Sequence, residues 1–344
     1  MCNIAAYVGD RPAAPIIIEM IRRQEGLNGG FFTGLATIDG GNIQWQKRCG
    51  DLDHLLKTTD ATSLTGNTGI IHSRTPGSSS DRWAHPFTSD KNGETEIALV
   101  INGSFGVFTE KLPEYPSLAR QLMSEGYELD SILPEGGKSK ILLPEGYVHA
   151  CDLMCQLIMR NMDGGADEPT AMAKAFCDMP AEFVCLLLSK KYSDRIFFSR
   201  VNTPMYLGYA PHGVYMASSP TAFPEDAGEP ILLPPLTSGY VTKGGYSLTR
   251  FAEDFPGEVM AFDAKIMAES YNDVCRALSE GGKTFTELAK VVRAIVGPGC
   301  APTSATVYGI LYSLQKEGRL IIDKTEIKGA SDELTAPRFN LRLK

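Results

Sequence analysis

Apolar positions in the first half of this chain recur mostly in runs that suit strands. Ile4–Val8, Phe31–Ile38, Gly69–Ile71 and Ile97–Ile101 are near-continuous apolar stretches of strand length, as expected for strands buried on both faces. Asp39-Gly40-Gly41 marks a turn between Phe31–Ile38 and Ile43–Lys47, and Asn102-Gly103 stops the fourth run. Helical spacing replaces this pattern at Ile16–Arg23, Pro116–Gly126 and Cys151–Asn161, and 128–148 shows no period and reads as irregular. A second strand set follows at Phe183–Ser189, Arg195–Arg200, Met205–Tyr209, Val214–Ala217 and Gly239–Thr242. Long strands flanked by helices predict two facing sheets covered by helices, an α+β sandwich.

The pattern changes after about residue 258. Three helical stretches are expected there: about Ile266 to Glu280, a second opened by the capping box Thr284-x-x-Glu287, and a third capped by Thr303 or Ser304. The third carries the stripe Val307, Ile310, Leu311, Leu314 and stops at Gly318. Arg319–Ile327 and Pro337–Leu343 then alternate as a strand pair, which outlines a winged helix. The expected division is 1–258 for the sandwich and 265–344 for a small winged-helix-like domain.

Composition narrows the function. The net charge of −8 argues against nucleic acid as a partner, although 265–344 carries 12 Lys/Arg against 9 Asp/Glu. No apolar run is long enough to span a bilayer, and nothing resembles a secretory signal. The eight cysteines form no CxxC pair, so they read as reduced thiols of a cytoplasmic protein, with no disulfide framework and no metal site. No nucleotide loop is present, since Gly136-Gly137 and Gly244-Gly245 lack the pattern that cradles phosphate, and no cofactor is expected.

One thiol stands apart. Cys2 lies directly before the first buried strand, and loss of Met1 would leave its α-amine beside its own thiol. With pKa values of about 8 and about 8.5, the amine can act as base for the thiol of the same residue. Alone, Asn102-Gly103 reads as a tight turn and Arg74 as a surface charge. Together, Cys2, Gly69-Ile-Ile-His72-Ser-Arg74, Ala84-His85-Pro86, Asn102-Gly103 and the stretch from Asp194 to Pro220 resemble the class II glutamine amidotransferases over roughly residues 1–255. These are N-terminal-nucleophile (Ntn) hydrolases.

The resemblance implies a four-layer α/β/β/α sandwich and a glutaminase reaction. It makes Cys2 the nucleophile and pairs Asn102 with Gly103 as the oxyanion hole. Arg74 would clamp the glutamine α-carboxylate, with Thr75, His85 and Asp152 in the substrate-binding set. The implied partners are L-glutamine and a separate ammonia-accepting synthase subunit, and a homo-oligomer is compatible with it. The chain departs from the family pattern at Ile101, at Leu27-Asn28-Gly29, in a shortened loop after Arg74, and at Ala150. Ala150 stands where the family places the acid that binds the substrate amine; Asp130, Glu135 and Asp152 are the candidate replacements. Those departures support an alternative, a degenerate glutamine-sensing or regulatory protein that signals through the winged helix.

Overall fold

The computed structural model describes residues 2–77, 80–135, 139–259, 262–297 and 301–344, with backbone alone at 301 and 302. Met1, Gly136-Gly137 and Cys300, each weighed above, lie outside the described residues.

The first half contains β1 (Asn3–Gly9), α1 (Ala13–Asn28), β2 (Phe32–Asp39), β3 (Asn42–Cys49), α2 (Leu52–Thr58) and β4 (Thr68–Arg74). It continues with β5 (Phe87–Lys91), β6 (Glu94–Ser104), α3 (Tyr115–Ser124), β7 (Ile141–Leu143), β8 (Gly146–Val148) and α4 (Ala150–Asp163). Next come α5 (Glu168–Asp178), β9 (Glu182–Ser189), β10 (Arg195–Arg200), β11 (Tyr206–Ala210) and β12 (Gly213–Ala217). β13 (Ile231–Leu232), β14 (Thr237–Thr242) and β15 (Gly245–Arg250) complete the sheets. The remainder is α6 (Ala264–Ser279), α7 (Phe285–Val296), α8 (Ala301–Lys316), β16 (Leu320–Lys328) and β17 (Thr335–Leu343).

The strands form two antiparallel sheets, ordered β13-β11-β12-β1-β4-β2-β3 and β15-β14-β10-β9-β6-β5. Period-2 alternation explains the layers. In β1, Ile4, Ala6 and Val8 point between the sheets and meet Val100, Leu186 and Phe198. Ala5 and Tyr7 point the other way, toward Ile17 and Ile21 of α1. On the far sheet, Leu99, Ile101 and Cys185 face Leu157 of α4 and Phe176 of α5. The layers therefore run helix, sheet, sheet, helix.

The C-terminal three helices and hairpin join one of these layers. Val274, Phe285, Leu288, Tyr308, Leu311 and Phe339 share one buried cluster with α1 and β1. α8 presses its first turns inward, with Thr303 to Tyr308 all buried. Tyr206 donates to Ala305 O at 3.2 Å, and Asn28 Nδ2 donates to the Tyr308 hydroxyl at 3.2 Å. At Gly26 a Cβ would fall 2.2 Å from the Phe339 ring, so the absent side chain is what admits β17.

Three readings change. Residues 128–148 are not wholly irregular, because β7 and β8 form a short hairpin there, tied to the preceding chain by a bridge between Leu133 and Tyr147. The helices α2 and α5 carry no long apolar stripe, yet each has a cap: Asp51 accepts from His54 N, and Asp167 accepts from Thr170 N ahead of Pro169. Thr303 and Ser304 lie inside the first turn of α8 and do not precede it. The capping box at Thr284 and Glu287 is present as expected.

Candidate active site

Strand pairing brings the singled-out residues to one end of the sandwich. β1 lies between β12 and β4, with Asn3 opposite Ser73 and Ile4 opposite His72, so Cys2 and Arg74 leave the sheet side by side. Across the interior, β6 ends at the same level. The Cys2 backbone N–H donates to Asn102 Oδ1 at 2.8 Å, joining chain segments a hundred residues apart. Asn102 is fully buried, and its Nδ2 has no hydrogen-bond partner among the described residues. Gly103 has φ +139°, and a Cβ there would lie 2.2 Å from Glu182 O, so only glycine fits.

The thiol itself is perturbed. Cys2 Sγ lies 3.9 Å from Thr75 Oγ1 and opens on a cavity of about 490 Å³. Burial raises its pKa, but the His72 imidazole beside it, helped by Arg74, outweighs burial and brings it to about 6. His72 Nε2 is engaged with Ile101 O at 3.0 Å, which leaves Nδ1 without a partner in the same buried space. His72 stacks on His85 at 3.8 Å between ring centroids. His85 and His149 both line the cavity, and burial with neighbouring positive groups drives both well below the ordinary histidine value. They are neutral walls.

Arg74 is held by its flanks. Its guanidinium lies over the rings of Phe32 at 5.0 Å and Trp83 at 5.5 Å, and Nη1 donates to Trp83 O at 3.3 Å. The strand that presents it is pinned one residue earlier. Ser73 Oγ donates to buried Glu25 at 2.7 Å and accepts from Gly30 N at 2.8 Å. Burial pushes the Glu25 carboxyl up to about 7.

Cys2, Arg74, Thr75, His85 and Gly103 thus line one cavity, with Asn102 directly behind Cys2. Asp152 is a correction. It does not line the cavity: its Oδ2 accepts from Ser131 N at 2.9 Å, and Gln156 stands over Oδ1. Its position in the first turn of α4 sends the side chain along the helix to meet the i+4 residue, and burial raises its pKa to about 6. Asp130 and Glu135 are exposed; Asp130 sits on a different groove, where its carbonyl accepts from Arg82. Residues that sequence reading passed over also enter the wall, among them Phe105, Ser139, Lys140 and Ile141. Ile141 opens the short hairpin and Ser139 and Lys140 lead into it, and its brief strands gave no period to read. Among the described residues, no cluster of three His, Cys, Asp or Glu could hold a metal ion, and no helix is long and apolar enough to cross a membrane.

No family model matches the chain. Its sequence is similar to glutamine–fructose-6-phosphate aminotransferases (isomerizing). It is 27% identical to that of Chlorobaculum tepidum over 252 residues, covering 72% of this chain and 37% of that protein. Identity to that of Mycobacterium leprae is 27% over 336 residues, covering 95% of this chain and 48% of that protein. The chain therefore spans less than half the length of these curated relatives. Its fold matches glutamine phosphoribosylpyrophosphate amidotransferase from B. subtilis with a TM-score of 0.58 at 14% identity, over 94% of this chain and 66% of that one. A structure described as the allosteric regulatory enzyme of purine biosynthesis gives 0.59 at 13%, with the same coverage. By sequence the chain is thus similar to glutamine–fructose-6-phosphate aminotransferases, and its fold is that of the glutamine amidotransferase structures it matches.

Proposed function

We propose that this chain hydrolyses the side-chain amide of a glutamine substrate to the acid and ammonia through a thioester on Cys2. The observation that carries the reading is the pairing of a low-pKa thiol with a buried, unpartnered Asn102 amide across the 2.8 Å contact at Cys2 N. With Met1 removed, that nitrogen becomes the α-amine, held by Asn102 Oδ1 beside the thiol. The thiolate attacks the amide carbon, and the oxyanion that forms faces Asn102 Nδ2 and the Gly103 N–H. The C–N bond then breaks, and the amine relays a proton to the departing ammonia. Water attacks the thioester, releases the acid and restores the thiol. Arg74, braced between two aromatic rings, offers its fork to the substrate carboxylate.

Ammonia released here would serve a separate acceptor subunit in the cytoplasm. The C-terminal unit, read as winged-helix-like, works in cis on this account: its third helix is spent on packing against Pro220–Ala222, Tyr206 and the end of α1. That leaves the regulatory alternative without its signalling surface. The test is Cys2→Ala, which should abolish ammonia release while the circular dichroism spectrum is kept. Mass spectrometry should show Met1 gone and one adduct of a diazoketone glutamine analogue on Cys2. Retention of most of the rate by Cys2→Ala would end this reading.

A further inference from the structure

The cavity beside Cys2 is electrically one-sided. Arg74 stands at one wall and Lys140 at another, and α4 begins in the lining itself, with His149, Ala150 and Cys151 all facing the space. Arg74 and Lys140 bring full positive charge, and the aligned peptide dipoles of α4 add a partial one at its start, even though the N–H groups of Cys151, Asp152 and Leu153 are paired with His149. No carboxylate lines the cavity among the described residues, and every Asp and Glu of the chain is described. Glu182 packs behind Gly106 of the lining, where a Cβ would lie 2.5 Å from its Oε2, and Asp152 turns away from the space toward Ser131 and Gln156. The remaining surface is largely apolar, from Phe105, Leu112, Ile141 and Phe183.

Free glutamine fits such a place poorly. If Arg74 takes its α-carboxylate, the adjacent ammonium must be buried against an apolar wall and a helix N-terminus with no counter-ion. An unpaired buried charge costs far more than a neutral polar group in the same position. A volume near 490 Å³ also lies in the range of roughly 300–1,000 Å³ that holds much larger ligands than a single small amino acid.

We infer that the site is built for a glutamine whose α-nitrogen is acylated, a small Nα-acyl-glutamine, and not for the free amino acid. Acylation removes the ammonium, adds a carbonyl oxygen that suits the positive end of α4, and supplies apolar bulk for Phe105, Leu112, Ile141 and Phe183. Side-chain amide and α-carboxylate stay where the preceding reading puts them, and the inference rests on that reading. The reaction is unchanged in its balance: water in, ammonia out, the acyl group untouched.

The experiment compares ammonia release from L-glutamine and from Nα-acetyl-L-glutamine on the full chain. The expected result is a kcat/KM at least about tenfold higher for Nα-acetyl-L-glutamine. Equal rates, or a preference for free glutamine, would overturn the inference while leaving amide hydrolysis intact. Turnover of neither, with no diazoketone adduct on Cys2, would sink the hydrolysis reading and this one with it. A gain-of-function variant gives an independent check. Ala150→Asp places a carboxylate in the lining at a helix N-terminus, a position that favours acids. It should raise kcat/KM for free glutamine about tenfold and lower it for the acetylated substrate. An unchanged substrate ratio in that variant would count against the inference.

Discussion

At Cys2 the decisive comparison is between burial and a neighbouring imidazole. Burial alone would leave a sluggish thiol, as it does at Cys49, where it pushes the pKa up to about 11. His72 reverses that outcome at Cys2 and holds the value near 6. The sign follows directly: thiolate forms as pH rises through about 6, so alkylation should climb there and level off by neutrality. His72→Gln removes the imidazole but not the burial, and the midpoint should then move up by about one pH unit or more. Iodoacetamide rates on Cys2 followed by mass spectrometry from pH 5 to 9 read this out, and an unmoved midpoint would clear His72 of the role. Cys2, Arg74, Asn102 and Gly103 were singled out through the family resemblance; each ends or begins an apolar run, which places it at a strand end. Asp152 was misplaced for the converse reason. Within a helix a one-residue step turns the side chain by about a quarter turn, so its nearness to the site in sequence did not set its direction.

Among the elements, α1 and β4 are coupled through a single buried acid. Glu25 accepts from Ser73 Oγ at 2.7 Å, Leu52 N at 3.0 Å and Thr33 Oγ1 at 3.2 Å, yet burial dominates and holds its pKa near 7. The folded state therefore keeps a proton that the unfolded chain gives up above about pH 4.5. Stability should fall as pH rises from about 4.5 to about 7, by on the order of 2–3 kcal/mol. Glu25→Gln should flatten that slope, and urea titrations at several pH values would show it; an identical slope in the variant would remove Glu25 as the cause. The central strands of both sheets could be read from their apolar runs, whereas β5, β13 and β15 at the sheet edges were not, being short or largely polar. The helices α2 and α5 could not, since each is short and announces itself through its Asp cap more than through periodicity. The hairpin β7–β8 is shorter still, and its contribution to the cavity wall, Lys140 and Ile141 included, was hidden with it.

For the whole molecule, the boundary visible in composition is not a boundary in packing. The last eighty residues share a buried cluster with α1 and β1, and Tyr308, fully buried, sits at the join. Tyr308→Ala should cost about 3–5 kcal/mol, the range for emptying a large aromatic site. Calorimetry should show one cooperative transition at a lower temperature, whereas a separate melt of residues 264–344 would deny the shared core. The buried first turns of α8 also account for its lack of basic residues before Lys316: that face meets protein. The topology of this unit was readable from its capping box and stripe. Its docking was not, because a stripe tells that a face is covered but never by what.

The pairing of β1 with late strands has a consequence in time. Cys2 is synthesised well before β12 at Gly213–Ala217, which pairs with β1, and before Phe339 and Leu341 of the cluster behind it. At 5–20 residues per second, the interval between synthesis of residue 2 and of residue 341 is roughly 20–70 s. Until β1 pairs with β4 the thiol lacks the His72 imidazole beside it, so its pKa stays near the ordinary value of about 8.5 and little thiolate exists at neutral pH. The thiol proposed as nucleophile is therefore made well before the fold that lowers its pKa is complete, which spares a nascent polypeptide an active thiol.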